Sequence, residues 1–304
     1  MANLPANLVL VLTNDNAASA LNLPSINFNH CIVKTQIDGK EYFIELTDKY
    51  LPFKALPITL YQAKALVISF DKESNERSKL ISIPFDNAIK NINKTSTTVT
   101  ITESGKTFNN KHFIQGAKKS HYNEMFSDAT TEDIRKKEFE GFYNGQLSKV
   151  ISLQSVKNVT KSLFDPQLIY ESTFTTPDVL KKVGNIRIVD IPFIDKAYSR
   201  DIISSESRNY DICYYNYEIY DAYDTEIILN IPDGKTFSDV PENKKLSFKG
   251  HTFEIQFELL TKNSLKVTRK VNTPWETITT KEYPEYKKYV EQVIEQEEQV
   301  LGFK

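Results

Sequence analysis

Two side chains near the start of the sequence, His30 and Glu45, are of the types that activate a nucleophile. An imidazole beside a carboxylate can accept the proton of a thiol or hydroxyl, because the acid fixes the ring tautomer and stabilises the imidazolium that forms. The same pair is also common as an ordinary polar contact on a half-exposed sheet. Whether the two side chains can meet depends on the elements that carry them.

A β-hairpin is predicted to carry both side chains. Asp-Gly at residues 38–39 separates two apolar, strand-like runs, and this dipeptide suits a two-residue turn in which both positions have positive φ. Counting back from the turn sets His30 opposite Thr47. His30 and Glu45 then share one face of the sheet, a diagonal apart, whereas Cys31 points to the other face. A base and an acid are thus predicted to lie within reach of each other, without the neighbouring thiol.

The remaining cysteine and histidines suggest no second site. With only Cys31 and Cys213 there is no disulfide framework and no cysteine-rich zinc pattern, and we expect two separate buried thiols. His112, His121 and His251 are dispersed among turn-like or strand-edge residues, without the spacing of a helical metal site. The sequence therefore predicts no metal and no cofactor.

Charge and composition limit the classes of binding partner and the fold that the sequence predicts. The net charge is −2 and charges of both signs are interspersed, which gives no electrostatic reason to expect nucleic acid. The first apolar run, residues 7–12, is too short to span a membrane and lacks the layout of a signal peptide, so we predict a buried strand there. Sixteen tyrosines and 18 phenylalanines favour a β-rich chain, because aromatic side chains pack well on pleated surfaces.

The rest of the chain continues this pattern with two helices. A helix with a Thr-x-x-acid start at residues 130–133 is predicted to end at Asn-Gly, residues 144–145. A second amphipathic helix is predicted over residues 284–301. Strands are predicted at residues 65–68, 97–102, 113–117, 150–155, 168–174, 185–191, 210–220, 226–231 and 252–259.

These patterns predict an α+β fold, mainly antiparallel β, with two amphipathic helices and a β-sandwich-like arrangement in the later part. Polar segments at residues 71–79 and 204–207 divide the chain into residues 1–70, 71–203 and 204–304. The last two ranges could equally form one domain. Within the last range, the tyrosines at 214, 215, 217, 220 and 223 alternate between two faces, which favours packing over an aromatic ligand platform.

The hairpin also resembles a known family, the bacterial transglutaminase-like superfamily. The phrases that carry this resemblance are Phe-Asn-His-Cys-Ile-Val at 28–33, Asp-Gly-Lys-Glu-Tyr-Phe at 38–43 and Ile-Glu-Leu-Thr at 44–47. The continuation at residues 48–68 is similar to a multidomain subgroup of envelope proteins common in Bacteroidetes-type bacteria. The likeness covers residues 7–68 and is looser from about residue 97 to the end.

The resemblance implies a Cys-His-Asp site in which His30 is the histidine and Glu45 replaces the aspartate. The family's nucleophilic cysteine would precede the first residue of this sequence, so the resemblance implies an incomplete site and the C-terminal part of a longer protein. It further implies a transglutaminase-like core over residues 1–70, acyl transfer or peptide (amide) hydrolysis in the parent, a peptide or protein substrate, and a periplasmic or cell-envelope location.

Two alternatives remain open at this point. The chain could be a non-catalytic β-sandwich binding or scaffold module of the cell envelope, which the replacement of aspartate by Glu45 favours slightly. It could also be unrelated to thiol enzymes. The oligomeric state is not predicted by any pattern in the sequence.

Overall fold

The computed structural model describes residues 4–16, 27–69, 78–85, 89–162, 164–177, 180–216 and 220–304. The chain divides into two compact units, one formed by residues 1–90 with 116–123 and the other by residues 91–115 with 124–304. The predicted polar segment at 71–79 and the polar loop at 17–25 lie mostly or wholly outside the described residues.

The first unit contains a five-stranded antiparallel sheet. Its strands are β1 Ala6–Leu12, β2 His30–Ile37, β3 Lys40–Ile44, β4 Lys64–Ile68 and β5 Ser78–Ser82, in the spatial order β3-β2-β1-β4-β5. Asp38 and Gly39 join β2 to β3 with φ values of 50° and 76°, as the hairpin prediction required. The buried strand predicted at residues 7–12 is also confirmed.

The two faces of this sheet differ in burial. Val11 pairs with Ala65 across β1 and β4, and both are fully buried together with Val9 on the same face, because apolar side chains on one face of a sheet leave water together. On the opposite face, Leu8 and Leu80 are exposed. The face that carries the buried valines is also the face of His30, which pairs with Val11.

The second unit contains two sheets. Its strands are β6 Ile92–Ile101, β7 Lys106–Gln115, β8 Ser152–Asn158, β9 Gln167–Thr176, β10 Lys181–Val183, β11 Ile186–Asp190, β12 Ala222–Asn230, β13 Phe237–Asp239, β14 Lys244–Phe248, β15 His251–Thr261, β16 Ser264–Asn272 and β17 Val300–Phe303. The larger sheet has the order β14-β15-β16-β12-β6-β7-β9-β8 and the smaller β10-β11-β17-β13. Only β12 and β6 pair in parallel among these described strands. The predicted fold class, α+β and mainly antiparallel, is confirmed.

Three helices are described, α1 Lys119–Met125, α2 Glu132–Leu147 and α3 Tyr283–Glu297, so α1 adds to the two that were predicted. The Thr131 hydroxyl caps α2 by accepting from the Ile134 amide at 3.4 Å. The predicted stop at Asn144 is wrong, because the helix continues to Leu147 and ends at Ser148 in the left-handed conformation. Asn144 instead accepts from the Ile151 amide at 2.8 Å.

The end of the chain also differs from the prediction. The last helix stops at Glu297, and residues Val300–Phe303 form β17 between β11 and β13. The predicted helical stripe mixed two elements: Tyr286 and Val293 are buried on α3, whereas Leu301 is buried as part of a strand. A short apolar run after a helix carries no periodicity of its own, so the boundary could not be found from spacing.

The aromatic strand predicted at 210–220 is wrong for its described part. Residues 210–216 form turns with one isolated bridge, between Ile212 and Ile278, and Tyr217 lies outside the described residues. Tyr214 is buried and stacks on Trp275 with ring centroids 6.3 Å apart. Tertiary packing of the rings, and not strand pairing, explains the aromatic spacing here.

Two of the dispersed histidines are buried in the core of the second unit. His112 is 2% exposed in the middle of β7, so its expected position beside turn-like or strand-edge residues is wrong. His251 is fully buried as the first residue of β15 and directly follows the turn at Lys249 and Gly250, which agrees with the expectation for that residue. No helix in the described residues is long and apolar enough to cross a membrane. No group of three or more metal-ligating side chains occurs in the same residues.

Candidate functional site

The structure brings His30 and Glu45 together. The observed register pairs Ile37 with Lys40 and Val33 with Ile44, which confirms the predicted pairing next to the turn. The predicted pair of His30 with Thr47 does not form, because the ladder stops at Val33–Ile44. Strand β3 ends at Ile44, so Glu45 stands one residue past the strand. Its Oε2 contacts the Nε2 of His30 directly.

Both carboxylate oxygens of Glu45 contact neighbouring residues. Its side chain is 2% exposed, and Oε1 accepts from the backbone amide and the hydroxyl of Thr47, each at 2.6 Å. Burial raises the pKa of Glu45, but the two Thr47 hydrogen bonds and the His30 contact outweigh it, so the pKa is lowered below its ordinary value of 4.5. The carboxylate is therefore ionised at neutral pH and fixed in one orientation.

One ring nitrogen of His30 is not engaged by Glu45. Its side chain is 24% exposed, and Nε2 is occupied by Glu45. No hydrogen bond to Nδ1 is present in the described part of the chain. Because one ring nitrogen is engaged by a carboxylate, the other is the one that can accept a proton from a nucleophile.

The start of β2 is pinned next to this histidine. The Asn29 side chain accepts from the Thr13 amide at 2.9 Å and donates to the Thr13 hydroxyl at 2.8 Å. The Asn29 amide also donates to the Val11 carbonyl at 3.0 Å. Three hydrogen bonds thus fix the backbone that carries His30, which limits the positions its ring can take.

The cysteine that follows His30 on β2 does not lie beside the imidazole. Cys31 is paired with Leu10 and lies on the face opposite His30, as alternation predicted. The expectation that both thiols are buried is wrong, because Cys31 is exposed and Cys213 is half-buried. Cys31 lies on the exposed face of the sheet, where Leu8 and Leu80 are exposed as well. Both cysteines are free thiols.

A second carboxylate contact was not predicted. The Ser120 hydroxyl donates to Oδ2 of Asp48, whose Oδ1 accepts from the Tyr50 amide at 2.9 Å. Asn123 donates to the Tyr50 carbonyl at 2.9 Å. The contacts of Ser120 and Asn123 join residues more than 70 positions apart and hold the segment after Glu45. No local pattern in the sequence indicates them.

Replacing Thr47 with valine tests how Glu45 is held. The variant removes the hydroxyl donor but keeps the β-branched shape, so we expect the pKa of Glu45 to rise and the first unit to lose about 1 kcal/mol at neutral pH. A carboxyl with a depressed pKa contributes stability above its ordinary pKa that is lost as pH falls below it. The difference between variant and wild type should therefore shrink in acid.

Carbon-13 NMR titration of the glutamate carboxyls and urea unfolding at pH 7 and pH 3.5 measure these two effects. Thr100, which is exposed on β6, provides the matched control when replaced by valine. An unchanged Glu45 titration in the Thr47 variant would show that the hydroxyl does not set this pKa.

Comparison with known proteins gives limited similarity. Residues 187–303 match the model of a domain of unknown function with a solved structure, DUF3858, which is under half of the chain. A solved structure of a "putative protease" from Parabacteroides distasonis ATCC 8503 is similar with a TM-score of 0.46 and 12% identity. The similarity covers 99% of this chain and 40% of that protein. No curated protein matches the chain. Neither similarity assigns a role to His30 or Glu45.

Proposed function

We propose that His30 and Glu45 are the general base and the orienting acid of a transglutaminase-like thiol site for acyl transfer or peptide (amide) hydrolysis. The observation that carries the proposal is the direct contact between the imidazole and a buried, hydrogen-bonded carboxylate. In this proposal the nucleophile is a cysteine other than Cys31 and Cys213, so the chain alone is inactive.

The chemistry follows from the two ring nitrogens. His30 Nδ1 takes the proton of the thiol, and the sulfur attacks the carbonyl carbon of the amide to form a tetrahedral intermediate. The imidazolium then gives its proton to the leaving amine as the C–N bond breaks, which leaves a thioester. Water (for hydrolysis) or an amine (for acyl transfer) then attacks the thioester carbon and loses a proton to His30. The C–S bond breaks, and the departing sulfur takes the proton back from the imidazolium, which restores the thiol. Glu45 stays ionised throughout and stabilises the imidazolium.

The test compares this chain with the longer protein that the proposal requires, which also supplies the nucleophilic cysteine, using a glutamine-donor peptide and a fluorogenic peptide amide. We expect no turnover by the chain alone and iodoacetamide-sensitive turnover by the longer protein. In the longer protein, His30→Gln should lower kcat by about 10²–10⁴-fold, because it removes a positioned base. Glu45→Gln should lower kcat too, since the neutral amide no longer stabilises the imidazolium.

The control is His121→Gln, which replaces an exposed histidine of the same unit and should leave kcat unchanged. Cys31→Ser and Cys213→Ser should be silent as well. Thiol-dependent turnover by the chain alone, abolished by either cysteine substitution, would overturn the assignment of an outside nucleophile. Full activity of His30→Gln in the longer protein would overturn the role of the histidine.

A second candidate function is a non-catalytic binding or scaffold module. It is favoured by Glu45, which is one methylene longer than the aspartate of the family that the sequence resembles, and by the Thr47 hydrogen bonds that would equally suit a structural ion pair. This reading predicts that His30→Gln and Glu45→Gln lower the stability of the first unit and change no turnover in the longer protein.

A further inference from the structure

The edge of the first unit's sheet, next to the His30–Glu45 pair, has an open side. Strand β3 is the last strand in the order β3-β2-β1-β4-β5, so no described strand pairs with its outer edge. An unpaired edge presents backbone donors and acceptors in a row, which another extended chain can use. Natural sheets usually protect such an edge with a bulge or a covering loop.

The turn determines which backbone groups point outward. In a hairpin with a two-residue turn, the flanking pair Ile37–Lys40 exchanges both hydrogen bonds, and bonded pairs then alternate with non-bonded ones. Glu41 and Phe43 are therefore in the non-bonded positions, and their amide and carbonyl groups face the open edge. These groups form a two-residue repeat that an added strand can match.

A groove of about 360 Å³ has four consecutive residues of this edge strand in its lining. It is lined by Lys40, Glu41, Tyr42, Phe43, Lys54, Leu56, Tyr61 and Pro84, all in the first unit. Leu56 and Tyr61 are buried and form an apolar part of the wall. Tyr42 lies 6.0 Å from the Phe53 ring, so aromatic surface is present at the mouth. The lining therefore combines residues of the edge strand with apolar side chains from outside it.

The charge of the groove favours an acidic ligand. Lys40 and Lys54 are exposed, and Lys54 Nζ lies 4.8 Å from the Tyr42 ring centroid. The one carboxylate in the lining, Glu41, is paired with Lys34 at 2.6 Å. No described carboxylate pairs with Lys40 or Lys54, so two positive charges remain uncompensated. A negatively charged side chain on the ligand would complement them.

We propose that this groove binds an extended peptide segment with acidic side chains, which pairs with β3 as a sixth strand. At about 3.3 Å per residue, residues 41 to 45 span roughly 13 Å, so a peptide that enters at Glu41 reaches the His30–Glu45 pair within about four residues. The role of the peptide as a substrate rests on the proposed function; its binding does not.

The experiment measures binding to this chain by fluorescence anisotropy. The probe is a labelled peptide of about ten residues in which glutamate and valine alternate, and the comparison peptide has lysine in place of glutamate. We expect the glutamate peptide to bind at least about tenfold more tightly and to weaken with added salt. N-methylation of alternate peptide amides should weaken binding by about tenfold or more in one of the two registers, because one set of amides faces β3.

Two variants test the walls. Lys54→Glu should weaken binding by about tenfold or more, whereas the matched Lys182→Glu change, on exposed β10, should not. Glu41→Pro removes an outward amide that the sheet does not use, so the edge strand should tolerate it while binding falls. Glu41→Thr loses the same carboxylate and keeps the amide, and should bind like wild type. The N-methylated peptides need no variant, so a folding defect cannot explain their result.

The outcomes separate the two proposals. Equal binding of the glutamate and lysine peptides would contradict the proposed groove. Equal binding of the two N-methylated peptides, one methylated in each register, would contradict it as well. His30→Gln should leave peptide binding unchanged. If the peptide binds as expected and the longer protein has no thiol-dependent turnover, the groove stands and the proposed function fails. If turnover occurs and Lys54→Glu changes neither KM nor peptide binding, the binding proposal is wrong and the proposed function stands.

Discussion

Replacement of Arg269 with leucine is expected to destabilise the second unit by about 3–5 kcal/mol, because it leaves two buried carboxylates without their cation. Arg269 is fully buried on β16. It donates to Oδ1 of Asp195 at 2.9 Å, to the Thr225 hydroxyl at 2.8 Å and to Oε1 of Glu297. Its guanidinium also lies 4.6 Å from the Phe193 ring centroid.

The carboxylates are poorly placed to stay charged alone. Burial raises the pKa of both Asp195 and Glu297 above their ordinary values, although Arg269 lowers them in part. Asp195 is further held by Asn93 at 2.9 Å and Thr95 at 3.0 Å. Without Arg269, the two acids must take up protons or face each other as buried charges, and both cost free energy.

Urea unfolding followed by fluorescence measures this effect, because the single tryptophan, Trp275, belongs to the second unit. The matched control is Arg200→Leu. Arg200 pairs with Glu298 on the surface, where both side chains are exposed, and such pairs contribute about 0–1 kcal/mol. A loss for Arg269→Leu no larger than the loss for Arg200→Leu would contradict the expectation.

A triple variant separates the ion triad from simple packing loss. Arg269→Met combined with Asp195→Asn and Glu297→Gln removes all three charges, and a neutral set of similar volume should recover much of the stability. If the triple variant is as unstable as Arg269→Leu, the cost comes from lost packing of the long side chain.

The same residues show which parts of the structure local sequence could predict. The Asp38–Gly39 turn sets the register of β2 and β3, and side-chain alternation then places Cys31 on the face opposite His30, as derived from the sequence. The exposure of that face could not be derived, and Cys31 was wrongly expected to be buried. Thr47 was named only as the residue opposite His30. Its two hydrogen bonds to Glu45 depend on the chain leaving the strand after Ile44, which no propensity indicates.

Contacts between segments that are distant in the sequence could not be predicted from local patterns. In the sequence, Arg269 is one polar residue of an alternating strand. In the structure, its hydrogen-bond partners come from β12, a loop and the end of α3. His112 likewise gives no local sign that it is buried. Register explains both after the fact, since His112, Thr95, Thr225 and Arg269 are paired in turn across β7, β6, β12 and β16. A row of polar residues across four strands is visible only once those strands are aligned.

His112, at the β7 end of that row, should make the second unit acid-sensitive. Its ring stacks on Tyr170 with centroids 4.3 Å apart, and its nitrogens face the hydroxyls of Tyr143 and Thr95 at 3.3 and 3.5 Å. No charged group contacts the ring among the described residues. Burial lowers the pKa of His112 from 6.5 to about 3, so the folded protein keeps it neutral through mild acid.

The sign of the pH dependence follows from where the proton binds. Between pH 6.5 and 3 the unfolded chain protonates this histidine and the folded chain does not, so stability is present above pH 6.5 and is lost as pH falls. The loss approaches about 1.4 kcal/mol per pH unit, or roughly 3 kcal/mol by pH 4. His251, whose pKa burial lowers to about 4, adds a loss of the same sign.

Replacing His112 with glutamine isolates its contribution. The variant should be less stable than wild type at pH 7, and this difference should shrink by roughly 3 kcal/mol at pH 4, because the variant no longer exchanges a proton on unfolding. Asp195 and Glu297, with raised pKa values, act in the opposite direction, but they are present in both proteins and cancel in the comparison.

Urea unfolding of wild type and His112→Gln from pH 7 to pH 4, followed by Trp275 fluorescence, gives the two curves of stability against pH. His121→Gln, a change at an exposed position, should run parallel to wild type. A constant difference between wild type and His112→Gln over this range would mean that the folded protein accepts the proton, and that the ring is not held neutral by its burial.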